Sequence, residues 1–392
     1  MFKDKNLLVI SHSYANFIKD QVETISKYFN QIYVLVRYNP LAEYSNFFYF
    51  FNYQSFMKKY KIDLYRKPKN ITIIVTPITY LPLDIFYKKV GISHYSSVYA
   101  AIKKYNVKFD LIHSHFIWSS GYVGALLKQK YNKPLIITGH GYDLYDLPFR
   151  NKLWRENIIS VLSNADHIIT VSNKNKEILE SLNINSPITV ITNGYKEEKF
   201  HPMNKQLCKS QLNIPINKKI LLTIGDLVEI KGHKYLIDAL RLLKRNRTDF
   251  ICYIIGEGEL KGSLKKQIQD NDLNDNIKLM GWINHKEISL WMNSADLFIL
   301  PSLNEGNPTV MFECLGCGLP FIGTNVGGIP EIINSNSFGF LVPPKNSIDL
   351  KNAIIKGLEK NWEKNKIISY GNQFRWNILV EKIINVYDKY LY

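Results

Sequence analysis

The sequence predicts an α/β protein made of two doubly wound domains with parallel sheets. Three observations predict it. Short apolar runs alternate with stretches of helical periodicity along most of the chain. At 392 residues, the chain exceeds what one ordinary hydrophobic core supports. A polar segment, Asn193–Asn217, carries Pro202 and Pro215 without a strand pattern and separates two halves alike in kind. The expected domains are residues 1–200 and 201–371. A C-terminal helix over 372–392 is expected to pack back toward the first domain.

Taken in order, strands of the first half are expected at Asn6–Ile10, Ile32–Val36, Ile71–Thr76, Leu111–His115, Leu135–Thr138, His167–Val171 and Thr189–Thr192. Most are short, rich in β-branched residues and largely apolar, as strands covered on both faces are, whereas Leu111–His115 is apolar only at its start. Helical periodicity marks Ser120–Lys130, Trp154–Ser163 and Lys174–Leu182. The second half repeats the pattern. Strands are expected at Ile220–Ile224, Phe250–Ile255, Ile277–Met280, Leu297–Leu300, Pro320–Gly323 and Gly339–Val342. Helices are expected at Tyr235–Lys244, Leu260–Asp270, His285–Ser294, Pro308–Gly316 and Asn372–Leu391.

Composition narrows the classes. The formal net charge is +16. Residues 1–190 hold 24 Lys and Arg against 13 Asp and Glu, so the basic excess is concentrated there. No compact nucleic-acid-binding motif accompanies it, and no nucleic-acid partner is expected. Residues 38–60 are rich in aromatics, from Tyr38 to Tyr60, with Lys58, Lys59, Lys61, Arg66, Lys67 and Lys69 beside them. That combination suits a peripheral contact with anionic membrane, and equally a loop that packs its rings on its own domain. No apolar run reaches the ~18 residues of a membrane span. Four unevenly spaced cysteines do not make a disulfide framework, and Cys314–Cys317 is a lone CxxC expected to pack in a buried helix. A cytoplasmic protein, with or without peripheral attachment to the inner face of the membrane, is the expectation.

The segment from Pro301 to Glu313 is the most informative. Glu305 and Glu313 lie eight residues apart, around an expected helix start with Asn307 as N-cap and Pro308 at the first helical position. The free N–H groups and positive end of that helix favour an anion. Carboxylates beside such amides suit a ligand with both phosphates and hydroxyls, such as a sugar nucleotide. Lys231 follows the first strand of the second half and can meet a phosphate as a point charge.

Together these features resemble glycosyltransferase family 4, retaining enzymes of GT-B architecture with two Rossmann-like domains facing each other across a cleft. The resemblance rests on Glu305 and Glu313, Lys231-Gly232, Gly256-Glu257-Gly258, Gly281 and Gly318-Leu319-Pro320 in the second half. In the first half it rests on Asp110–His115, Thr138–Gly141 and Ile191–Gly194. It implies a hexosyltransferase that moves a sugar from a nucleotide-diphosphate donor to a glycan or lipid-linked acceptor in cell-surface polysaccharide or glycolipid synthesis. Glu305, Lys231 and His140 are implied as catalytic residues. Glu305 binds donor-sugar hydroxyls, Lys231 stabilises the leaving diphosphate, and His140 lies across the cleft beside the sugar. Donor binding falls to Glu313 on the ribose, to Gly306, Asn307, Pro308, Thr309 and Val310 on the sugar and diphosphate, and to Gly281, Trp282 and Ile283 at the base. Neither metal nor cofactor is implied. Asp226 departs from the pattern, because the family usually places an arginine there. Either Lys231 and the helix terminus suffice, or donor binding is weaker.

Other readings stay open on the sequence. A GT-B relative such as a sugar-nucleotide epimerase shares the donor grip, and a non-catalytic basic protein that binds membrane or nucleic acid shares the charge. His113 and His115 read as strand-end histidines, one pointing in and one out. Asp143 and Asp146 read as solvated loop carboxylates or as acceptor-hydroxyl binders. Gly256–Gly262 nearly spells a dinucleotide fingerprint, with its last glycine one residue late.

Overall fold

The predicted strands assemble into two parallel sheets. The computed structural model describes residues 2–47, 57–81 and 87–391. The chain divides into two units, one holding residues up to Thr192 together with those from Trp376 on, the other spanning Asn193–Arg375.

The first unit contains β1 (Asn6–Ser11), β2 (Gln31–Tyr38), β3 (Ile71–Pro77), β4 (Leu111–His115), β5 (Leu135–Gly139), β6 (His167–Thr170) and β7 (Ile188–Val190). They run in the order β3-β2-β1-β4-β5-β6-β7. The order reverses between β1 and β4, where Leu7 pairs with Leu111 and Ile10 with Ser114. Successive side chains enter opposite layers, as the pleat requires. Leu8, Ile10, Leu35 and Ile112 pack on one face with Val98 and Trp154. Leu7, Val9, Val34 and Leu111 pack on the other with Val22 and the C-terminal helix. That helix, Trp376–Leu391, buries Leu379, Val380, Ile383, Ile384 and Tyr387, a stripe at helical spacing.

The second unit contains β8 (Lys219–Ile224), β9 (Phe250–Ile255), β10 (Ile277–Gly281), β11 (Leu297–Leu300), β12 (Phe321–Thr324) and β13 (Gly339–Val342), in the order β10-β9-β8-β11-β12-β13. Here the order reverses between β8 and β11, so the chain leaving these two strands opens the switch point where open α/β sheets bind ligands.

Helices Asn16–Ile25, Val90–Lys104, Ser347–Glu359 and Lys364–Gly371 add to those expected. The polar segment at the boundary, read only as lacking a strand pattern, carries a helix, Lys205–Gln211. Asn204 starts it by accepting from the backbone N–H groups of Gln206 and Leu207. The aromatic run from Phe48 to Phe56 lies outside the described residues. Among the described residues, no helix is long and apolar enough to cross a membrane.

Candidate functional site

In the second unit the site begins where β8 ends. The chain turns through Gly225 and Leu227 into a short 3-10 turn, Glu229–Lys231, closed by Gly232 at φ +66°. A Cβ at Gly232 would stand 2.0 Å from the Pro301 carbonyl oxygen, so only glycine lets the lysine-bearing turn lie against the end of β11. The Leu303 N–H donates to the Ile230 carbonyl at 2.7 Å and ties the two loops together. Lys231 runs its stem past Gly225 and places Nζ 2.6 Å from Glu305 Oε1. Ser302 Oγ donates to the same Oε1 at 2.6 Å.

Glu305 is buried, at 8% exposure, and its own backbone is gripped as well. Gly327, at φ +52°, approaches so closely that a Cβ would fall 1.6 Å from the Glu305 carbonyl oxygen. The neighbouring Gly328 N–H donates to that oxygen at 3.3 Å. The loop of Gly327 and Gly328 therefore acts as a backstop for Glu305.

The helix that follows is Thr309–Cys317, one residue later than expected, with Pro308 in the N-cap position. Asn307 does not cap it. Its Oδ1 accepts from the Asn193 N–H at 2.9 Å, and its carbonyl accepts from Asn193 Nδ2 at 2.9 Å. No side chain caps the first turn, which leaves its amides to a ligand. Glu313, in the second turn, meets His285 Nε2 at 2.9 Å through Oε1. His285 opens the helix His285–Ser294 behind the cap Asn284. Sequence reasoning missed both His285 and Ser302. Each acts through a partner distant in sequence or through side-chain direction, and neither leaves a motif. Cys314 and Cys317 are buried on the same helix, and burial raises both thiols, Cys317 to about 12.

Gly281 sits at φ +73° where a Cβ would meet Glu257 Oε1 at 2.7 Å, and its carbonyl accepts from the Gly256 N–H at 2.9 Å. A Cβ on Gly258 would strike the Leu227 carbonyl oxygen at 2.4 Å. These glycines close the loops after β8, β9 and β10 on one another, which accounts for them without a dinucleotide. Trp282 is 54% exposed beside them, and Ile283 is half-buried.

In the first unit, His140 follows β5. Its Nε2 lies 3.1 Å from His115 Nδ1 and its Nδ1 is enclosed without a partner. Burial, then the neighbouring His115, holds its pKa well below the usual histidine value. His113 and His115 do not alternate. Residues two apart on a strand share a face, and their ring centroids are 4.3 Å apart, both fully buried. His113 bonds Tyr387 Oη and Thr138 Oγ1. Asp143 is not solvated either. It is buried and accepts from the Ile117 and Gly141 N–H groups, and burial raises its pKa to about 6. Asp146 pairs with Arg150 at 2.7 Å.

Residues 204–374 match the family described as Glycosyl transferases group 1, and residues 60–199 match Glycosyltransferase Family 4. An uncharacterized glycosyltransferase of Methanocaldococcus jannaschii is 32% identical over 286 residues, covering 71% of this chain and 75% of that protein. The chain belongs to glycosyltransferase family 4. A second relative, the UDP-Gal:alpha-D-GlcNAc-diphosphoundecaprenol alpha-1,3-galactosyltransferase of Escherichia coli, is 29% identical over 315 residues, 75% of this chain and 78% of that one. Among solved structures, sucrose-phosphate synthase from Thermosynechococcus elongatus superposes with a TM-score of 0.79 at 21% identity over 98% of both chains. The fold is GT-B. In this glycosyltransferase, the second unit joins a cation, two carboxylates and an uncapped helix start. The cation and amides can hold a diphosphate, and the carboxylates can accept from sugar hydroxyls.

Proposed function

We propose that this glycosyltransferase moves a hexosyl residue from a nucleotide-diphosphate sugar to a hydroxyl of a glycan or lipid-linked acceptor, with retention of the anomeric configuration. The observation that carries the proposal is the Lys231–Glu305 pair in front of the uncapped start of Thr309–Cys317. Glu305 accepts from donor-sugar hydroxyls. Lys231 and the amides from Asn307 to Val310 take up the charge that develops on the diphosphate as its bond to the anomeric carbon breaks. Glu313, oriented by His285, accepts from the ribose, and Gly281, Trp282 and Ile283 border the base. His140 is assigned to the donor sugar on its match to the family's pattern alone. The balance is simple. The acceptor oxygen bonds the anomeric carbon on the face the diphosphate leaves, and the hydroxyl proton departs with the nucleotide diphosphate or with water. Protein cations serve in place of a metal. The relative that uses UDP-Gal supports a nucleotide-sugar donor and a lipid-linked acceptor.

The test is turnover with a panel of UDP-, GDP- and ADP-sugars, with the product's anomeric configuration read by NMR. One donor is expected to turn over, and Lys231→Ala is expected to lower kcat by about 10²–10³-fold, as loss of one transition-state charge partner does. A panel that neither binds nor turns over contradicts the proposal, and an inverted product contradicts retention.

A further inference from the structure

Asn307 stands between Glu305 and the uncapped helix start, and it is held from a distant part of the chain. Its partner, Asn193, is the first residue of the second unit, lies 114 positions upstream and is 5% exposed. The Asn193 N–H donates to Asn307 Oδ1 and Asn193 Nδ2 donates to the Asn307 carbonyl, both at 2.9 Å. The two bonds fix the Asn307 side chain and its peptide plane together. Pro308 then sets the next φ, at −70°. One soft rotation, the ψ of Pro308, separates this anchored plane from the Thr309 N–H. The Met311 N–H, donating to the Pro308 carbonyl at 3.1 Å, closes that rotation too. The direction of the Thr309 and Val310 N–H groups, which no side chain caps, therefore depends on Asn193.

Asn193 is itself firmly anchored. Tyr195, two residues on and 2% exposed, donates its N–H to the Phe374 carbonyl at 3.1 Å, and Arg375 Nη2 pairs with Glu197 at 2.8 Å. The segments by which the chain enters and leaves the second unit are thus joined. Both pack on the helix Thr309–Cys317. A Cβ on Gly316 would stand 2.4 Å from the Tyr195 ring and 2.9 Å from the Phe200 carbonyl oxygen, and the Phe374 and Phe312 ring centroids are 4.8 Å apart. Packing fixes the far end of the helix, and Asn193 fixes its start. We infer that Asn193 is a positioning residue for the donor site, which acts through Asn307 to aim the amides that meet the diphosphate. The inference rests on the donor reading above and adds to that site a residue from the entry segment, far in sequence from the loops that carry Lys231 and Glu305.

Calorimetric titration of UDP, GDP and ADP into the full chain finds the nucleoside diphosphate that it binds, and the matching nucleoside, which lacks every phosphate contact, is titrated beside it by ligand-observed NMR. Asn193→Ala removes the donation to the Asn307 carbonyl and keeps the backbone bond. It is expected to weaken the diphosphate about five- to tenfold, as loss of one hydrogen bond does, while nucleoside affinity stays within about twofold. Looser packing alone would lower the melting temperature and weaken both ligands by the same factor, so the ratio of the two affinities separates positioning from a structural role. Asn307→Ala removes the other bond of the pair and carries the test, with the same expected fall in the ratio, if Asn193→Ala does not fold. An unchanged ratio in the folded variants overturns the inference and leaves the donor reading standing. A parent chain that binds none of the three diphosphates overturns the donor reading, and this inference with it.

Discussion

Glu305 receives both of its hydrogen bonds, from Lys231 and from Ser302, on Oε1. Oε2 thereby keeps its acceptor capacity for the sugar hydroxyl proposed above. Glu313 is held in the same one-sided way by His285. Replacing His285 by Ala should therefore loosen the ribose contact proposed for Glu313 without touching the sugar contact proposed for Glu305. Titration should show weaker binding of UDP and UDP-sugar by the same factor, about five- to tenfold, the equivalent of ~1–1.4 kcal/mol for one hydrogen bond. A change in UDP-sugar affinity alone would contradict the assigned role. Asp226 is exposed beside the turn that carries Lys231, and His233 Nε2 bonds its carbonyl at 3.1 Å. An Asp226→Arg change adds a guanidinium next to the proposed diphosphate position. It should tighten UDP binding by about tenfold, ~1.4 kcal/mol, as a charge-assisted hydrogen bond does. A large loss would show instead that the aspartate itself contributes to binding.

At the scale of elements, Gly232 and Gly327 matter most, because their loops touch the backbone of Pro301 and of Glu305. Gly232→Ala forces a side chain into a left-handed conformation and against the Pro301 carbonyl, so it should cost more than ~1 kcal/mol of stability and displace Lys231. A lowered melting temperature together with lost UDP affinity is the expected pair of results. An unchanged protein would refute the packing argument. The strands were legible because sheets covered on both faces write continuous apolar runs. Helices such as Val90–Lys104 were not, because Gly91, His94 and three serines interrupt their apolar stripe. The helix start at Thr309 was legible to within a residue. Asn307 was misread because its local signal, a cap residue before proline, lost to a pair of hydrogen bonds with Asn193, 114 residues away. Motif resemblance marked Lys231 and Glu305 separately, but their contact across 74 residues belongs to the fold. His113 and His115 needed only the two-residue period of a strand to be placed on one face.

The whole molecule concentrates its buried histidines in the first unit. His94 and His113 are held well below the ordinary value and His115 down to about 3, burial being the largest cause for each. A histidine whose folded pKa is lowered stabilises the fold fully above its unfolded pKa near 6.5, and loses that contribution as pH falls toward the folded value. Asp143, raised to about 6, works the other way, favouring the fold as pH falls through 6, and offsets only part of this loss. Each pKa unit of difference is worth ~1.4 kcal/mol. The first unit should therefore open in mild acid before the second, whose His233 is lowered to about 4 as a single such group among the residues with resolved shifts. Hydrogen exchange at pH 5 against pH 7 should show peptides from residues 1–192 losing protection ahead of those from 193–375. The reverse order would contradict this account.

The central claim is that Glu305 grips the donor sugar while Lys231 grips the diphosphate. Calorimetric titration of UDP and the matching UDP-sugar separates the two. Glu305→Ala should erase the preference for UDP-sugar over UDP and leave UDP affinity nearly intact, whereas Lys231→Ala should weaken both ligands together. Unchanged binding of both ligands by both variants would contradict the claim outright.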